Sequence, residues 1–235
     1  MNYRFCEDQD FSDYACGRVL RGGAGMPNFP ARLALELYGR GASHLPAGEE
    51  IVLWDPCCGS GYLLTVAALR GQPMPRCVLA SDIQEGAVSL ARENLALISA
   101  EGRAARQETL RAHLQEFGRE SYALALESLD RIGAQCAGRQ VETEVRVHDV
   151  LAGGQPFDRR PNLVVTDVPY GCLVSWQGER AELGQYLLQA LAPALDTGAV
   201  AVVCMDKKQR VCSDGYVRLE KEQIGKRRFE IYQKT

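Results

Sequence analysis

Two short segments gather acidic side chains, glycine and proline in a spacing that suits ligand binding. The first is Asp55-Pro56-Cys57-Cys58-Gly59-Ser60-Gly61, and the second is Thr166-Asp167-Val168-Pro169-Tyr170-Gly171. In the first, Gly59 and Gly61 permit a tight turn and a close approach of backbone to ligand. A dinucleotide loop reads G-x-G-x-x-G and seats a pyrophosphate on a helix N-terminus. Here Leu64 stands at the third glycine position, so a nucleoside carrying an amino-acid tail fits better than a pyrophosphate. Asp55 is placed to set the end of the pocket that meets the ammonium, with Cys57 and Tyr62 completing the loop. Asp82, 27 positions after Asp55, is placed to accept from a ribose diol, and Asp149 from an adenine amino group. For Asp82 and Asp149 the competing role is to cap a following helix.

The second segment suits a planar nitrogen acceptor. The Asp167 carboxylate and the carbonyls beside Pro169 can accept from N–H groups, and proline, lacking its own N–H, stiffens the loop. Tyr170 offers a flat face for stacking, and Gly171 permits a close turn. A nucleobase taken out of its stack would fit such a site. The guanine Watson–Crick edge places N1–H beside N2–H₂, and one carboxylate can accept from both. At N1 a proton must also leave, and Asp167, which borders the cofactor site too, is the group to orient or relay it. Guanine N2, adenine N6 and a protein glutamine amide remain open as acceptors. Two other classes also stand: a non-catalytic RNA-binding module on the same scaffold, and a redox enzyme. The intact Asp167, Pro169 and Tyr170 disfavour the module, and the missing third glycine disfavours the redox enzyme.

The elements that must position these residues alternate. Apolar runs near 51–54, 77–81, 161–167 and 198–205, and the alternating run 141–147, read as strands. Helical spacing covers 62–70, 84–98 and 183–195, and a helix is expected over about 29–44, capped by Asn28 with Pro30 in its first turn. Two further strand-like runs, 216–219 and 228–232, close the chain. Strand–helix alternation predicts an α/β Rossmann-like fold with a mostly parallel sheet. Ligands in such sheets bind at the carboxyl ends of strands. Asp55, Asp82, Asp149 and Asp167 each close one of those strands.

The 235 residues suit a single domain, with an N-terminal helical extension over 1–45 and a helical insertion over 100–138. Hydrophobic residues make up 46% and charged residues 24%, which excludes a largely disordered chain. No apolar run is long enough for a membrane span, and the acidic start carries no secretory signal. The nine cysteines include no C-x-x-C pair, so no metal site is expected and the thiols suit a reducing cytoplasm. Net charge is −3, yet residues 206–235 hold nine Lys/Arg against five Asp/Glu. That local excess is suited either to phosphate or to a solvated hairpin. Arg103, Arg106, Arg111, Arg119 and Arg131 in the insertion are candidates for RNA contact, beside the plainer role of solubilising a helix. Oligomeric state is not encoded in any readable pattern.

The motifs resemble those of class I methyltransferases, and D-P-x-C-G-S-G followed by D-x-P-Y-G is similar to RNA guanine methyltransferases. More narrowly, the chain resembles the avilamycin-resistance rRNA methyltransferase family. The likeness runs through Ala15-Cys16-Gly17, Val19-Leu20, Phe29-Pro30, Arg32-Leu33-Ala34, the stretch from Leu53 to Val66, Ala80-Ser81-Asp82, Asn94-Leu95-Ala96-Leu97 and Thr166-Asp167 with Pro169-Tyr170-Gly171. It implies a seven-stranded sheet, S-adenosylmethionine as cofactor, and N1 methylation of a guanine in 23S rRNA or the large ribosomal subunit. Resistance to orthosomycin antibiotics is a further implication. Val168 stands where the family has Leu, at a position expected beside the target base.

Overall fold

The computed structural model describes residues 2–15, 17–23, 29–168, 183–207, 211, 214–225 and 227–235, the side chains of 183–185 excepted. Seven strands form one sheet. In chain order they are β1 (Val52–Asp55), β2 (Cys77–Asp82), β3 (Glu142–Val147), β4 (Leu163–Asp167), β5 (Val200–Asp206), β6 (Tyr216–Ile224) and β7 (Arg227–Lys234). Their spatial order is β3-β2-β1-β4-β5-β7-β6. The first five are parallel, and the β6–β7 hairpin joins β5 antiparallel through β7. The order reverses between β1 and β4, which opens a crevice outside their carboxyl ends.

Both faces of the central strands are covered, which is why their sequences are continuously apolar rather than alternating. Along β5, Val200, Val202 and Cys204 face one core, and Ala201, Val203 and Met205 face the other. The first core is completed by α1 (Ala31–Ala42), α2 (Tyr62–Arg70), α3 (Glu85–Leu95) and α5 (Glu120–Gln135). The second is covered by Leu187, Leu188 and Leu191 of α6 (Leu183–Leu191), with Trp54 and Phe157 edge to face.

The expected helix over 62–70 is α2, residue for residue. Helix 84–98 divides into α3 and a 3-10 turn, Ala96–Ile98, and helix 183–195 likewise ends in the 3-10 turn Ala192–Ala194. Pro30 precedes the first helix in an extended conformation rather than lying inside its first turn. Asn28, the expected cap, lies outside the described residues. The tail strands are longer than their local pattern suggests. They are sustained by pairing with β5 and with each other, a non-local support that residues such as Lys221 and Glu222 do not advertise.

Helix content in the first 45 residues is limited to α1 and the 3-10 turn Ser12–Tyr14 among the described residues. The α1 helix buries an ion pair: Arg40 Nε donates to Glu36 Oε1 at 2.6 Å, and Arg40 also meets Glu220 and Glu222 of β6. Glu36 in turn accepts from the backbone N–H groups of Arg4, Phe5 and Cys6. The chain's start is thereby tied to the edge hairpin.

The insertion forms α4 (Ala100–Phe117) and α5, which pack against each other. Ser99 caps α4 by accepting from the Gly102 N–H at 2.9 Å. Three of the five candidate RNA-contacting arginines are committed to structure. Arg103 donates to the Leu97 and Ile98 carbonyls, Arg106 to those of Val19 and Arg18, and Arg131 pairs with Asp13. Arg111 and Arg119 are exposed and make no such bond among the described residues.

Asn94 is the pivot of the N-terminal segment. It accepts from the Arg21 N–H at 2.7 Å and donates to the Arg21 carbonyl at 2.9 Å and the Ser60 carbonyl at 2.8 Å, fully buried. Residues 19–21 are so fastened to the glycine loop. Asn94→Ala would leave those buried groups unpaired at a cost of about 2–3 kcal/mol. We expect a melting temperature lower by roughly 4–10 °C in calorimetry; an unchanged value would show that the clamp contributes nothing.

Candidate active site

Asp55 and Asp167 end the two strands that flank the crevice. Asp55 is buried, and its Oδ1 accepts from the Thr166 hydroxyl at 2.6 Å and the Cys57 N–H at 3.0 Å. The two motifs are thereby joined by one hydrogen bond. Desolvation raises the Asp55 carboxyl to about 7; the Thr166 and Cys57 hydrogen bonds oppose that rise, and nearby Asp82 and Asp167 add to it. The same desolvation, with Asp55 and Asp82 adjacent, pushes the Cys57 and Cys58 thiols well up. These are therefore not poised thiolates.

The glycine loop is built for its turn. Gly59 and Gly61 adopt φ of 53° and 71°, left-handed values that suit glycine. Gly61 opens α2, and a Cβ there would sit 3.0 Å from the Ala91 Cβ of α3. Its role is therefore close packing as much as ligand approach. The Tyr62 hydroxyl donates to the Tyr14 carbonyl at 2.7 Å, fixing the N-terminal segment over α2.

Asp82 is partly exposed at the end of β2. Its Oδ2 accepts from the Gly59 N–H at 2.9 Å and its Oδ1 from the Gln84 N–H at 2.9 Å. The cofactor loop thus orients this carboxylate from one side and the start of α3 from the other, and each oxygen keeps further lone pairs. Asp149 is exposed and accepts from the Leu151 N–H at 3.0 Å. The capping role weighed for it is therefore realised, on the 3-10 turn Val150–Ala152.

Asp167 is set differently. Its Oδ1 is buried and has no hydrogen-bond partner among the described residues, while Oδ2 lies 3.8 Å from Arg227 Nη2. Desolvation raises this carboxyl to about 6, against the lowering influence of Arg227 and the Cys204 thiol. Val168 does not line an open base site: it is buried in the second core, and its N–H donates to the Cys204 carbonyl at 2.8 Å. Valine for leucine there is a packing change. Pro169, Tyr170 and Gly171 lie outside the described residues.

Several site features carry no local signal. Ile83 and Val147, 63% and 52% exposed, flank Asp82 and present apolar surface where polar residues would be usual. Thr166 lies within the second motif, but its partner, Asp55, is 111 positions away. Arg227 is one cation in a basic tail, and only the β5–β7 pairing brings it to Asp167. On the same hairpin, buried Glu230 is ringed by Arg218, Lys221 and Arg228, so positive charge exceeds negative at that edge. Among the described residues no cluster of His, Cys, Asp or Glu is arranged to hold a metal ion, and no helix is long and apolar enough to cross a membrane.

A doubly wound sheet, a left-handed glycine loop after β1 and acidic residues at three adjacent strand ends define a class I S-adenosylmethionine-dependent methyltransferase. The sequence profile of the AviRa rRNA methyltransferase family matches residues 1–227. The chain is 38% identical over 230 residues to the 23S rRNA (guanine(2535)-N(1))-methyltransferase of Streptomyces viridochromogenes, covering 93% of this chain and 90% of that one. The solved rRNA methyltransferase aviRa from Streptomyces viridochromogenes superposes with a TM-score of 0.84 at 36% identity, covering 97% of this chain and 94% of that one. TrmN from Thermus thermophilus shares the fold alone, with a TM-score of 0.51 at 16% identity, covering 88% of this chain and 49% of that one. The chain belongs to the AviRa family of rRNA methyltransferases.

The raised Asp55 carboxyl makes a stability prediction. Between its unfolded value near 3.8 and its folded value of about 7, the folded state binds more protons than the unfolded state. Stability therefore falls as pH rises through that window. Measured against Asp55→Asn, the ligand-free parent should lose melting temperature as pH rises from about 4 to about 7 and level off above that. A difference that is flat with pH would refute the assignment.

Proposed function

We propose that the protein transfers a methyl group from S-adenosylmethionine to N1 of a guanine in 23S rRNA, within the cytoplasm. The observation that carries this is Asp167: a carboxylate at the switch point with a buried oxygen that has no hydrogen-bond partner among the described residues, raised into the range where it can take a proton near neutrality. The acidic set also fits the cofactor. Asp55, Asp82 and Asp167 crowd negative charge around the glycine loop, and a ligand bearing an ammonium and a sulfonium relieves it.

The bound cofactor supplies a methyl group on sulfonium sulfur, whose C–S electron pair stays on sulfur as the new N–C bond forms. Asp82 accepts from the ribose hydroxyls, with Ile83 and Val147 as apolar surface for the adenine. Asp55, Cys57, Gly59, Gly61 and Tyr62 shape the pocket at the amino-acid end, and Asp149 uses its remaining acceptor capacity at the adenine rim. Asp167 accepts the guanine N1 proton as N1 turns its electron pair to the methyl carbon. Pro169 and Tyr170 serve as acceptor-carbonyl support and stacking face. The basic β6–β7 hairpin meets RNA phosphate. Orthosomycin resistance is the expected consequence where the methylated guanine lies in the drug site.

Large subunits treated with the protein should carry a single new 1-methylguanosine, read by nucleoside mass spectrometry and as a stop in primer extension. Label at N2, in adenine or in ribosomal protein would overturn the acceptor assignment. Asp167→Ala should lower turnover by about 10²–10⁴-fold with cofactor affinity retained. Asp82→Asn should instead weaken cofactor binding roughly 10- to 100-fold in calorimetry, because it replaces an acceptor oxygen by a donor. Equal affinity in that variant would remove Asp82 from the ribose site.

A further inference from the structure

Arg227 reaches the active site from an element that lies outside both sequence motifs. It is the first residue of β7, paired in register with Asp206 at the end of β5, and its guanidinium stands 3.8 Å from Asp167 Oδ2. On its other side the guanidinium lies over the Phe29 ring, 5.2 Å from the centroid. Phe29 is buried two residues before α1, so its ring is held in the first core. Arg227 is 21% exposed and Asp167 17% exposed, which leaves their attraction only partly screened by water.

The separation matters. At 3.8 Å the contact is longer than a hydrogen bond, so it acts through charge without consuming an acceptor lone pair. A bidentate arginine would neutralise the carboxylate and also occupy both oxygens. With no arginine, a carboxylate this deeply desolvated would hold its proton near neutrality and have no capacity for another. Among the described residues, the groups facing Asp167 are Arg227 from β7, the Cys204 thiol from β5 and, across the crevice, Asp55 from β1. Of these, only Arg227 carries positive charge.

We propose that Arg227, held by Phe29, is a positioning residue that keeps Asp167 ionised while leaving its oxygens open to the N–H groups of the target base. This rests on the reading of Asp167 as the proton acceptor. When the N1 proton arrives, Asp167 becomes neutral and Arg227 retains its charge, so the arginine neither gains nor loses a proton in the cycle.

The test is the pH dependence of single-turnover methylation of large subunits by the full chain. In Arg227→Gln the acid limb should move up by on the order of one pH unit, with the rate about twofold down at pH 7, about tenfold down at pH 5 and close to the parent's towards pH 8.5. Arg227→Lys should restore most of the limb, and Phe29→Leu should move it a smaller distance the same way. Should Arg227→Gln fold poorly, the ¹³C carboxyl shift of Asp167, titrated in the parent and in Phe29→Leu, reads the same quantity without turnover. An equal rate loss at every pH, with the limb in place, would overturn the proposal and leave Asp167 as the acceptor. Persistence of the limb in Asp167→Asn would instead overturn the reading of Asp167 itself.

Discussion

The Thr166 hydroxyl donating to Asp55 closes the crevice between the two strands at which the sheet reverses direction. It is a buried bond to a buried carboxylate, where hydrogen bonding matters most because no water competes. The same Asp55 oxygen accepts from the Cys57 N–H, so the glycine loop, the end of β1 and the end of β4 share one acceptor. The loop's next donor, the Gly59 N–H, goes to Asp82 on β2. The glycine loop, Asp82 and the end of β4 are therefore fixed relative to one another by three short bonds.

Charge is the second organising constraint. Three carboxylates converge at the carboxyl ends of adjacent strands, and the core beneath them is apolar on both faces. Burial disfavours the charged forms of Asp55 and Asp167, and the charges of Asp82 and Asp167 make Asp55 harder still to ionise. Asp82, partly exposed, accepts from two backbone N–H groups, Asp55 is relieved by Thr166 and Cys57, and Asp167 by the Arg227 guanidinium. Three carboxylates of one type are thus given three environments, as suits groups with different tasks.

The periphery serves this centre. Asn94, Tyr62 and Arg106 fasten the N-terminal segment to the loop and to α4, using side chains whose partners are backbone carbonyls. The insertion's arginines, which could be taken for an RNA-binding face, are largely consumed in that task. Positive surface charge gathers instead on the terminal hairpin, where three cations share one buried glutamate.

The sequence by itself determined the α/β class, the limits of α2, the turn at Gly59 and Gly61, and the placement of acidic residues at strand ends. Those features are local: hydrophobic period, glycine in left-handed turns and the last residue of an apolar run are all written within a few positions. It also carried the family likeness through its motifs. The tertiary structure decided what each acidic residue meets. Asp149 caps a 3-10 turn, Val168 enters the core instead of facing a base, and Pro30 precedes α1 rather than joining it. It alone brought Thr166 to Asp55 and Arg227 with Phe29 to Asp167, across 111 positions in the first case. No local pattern encodes such meetings, because they follow from strand order and from a hairpin added antiparallel to the sheet, and long-range pairing leaves no period in the chain.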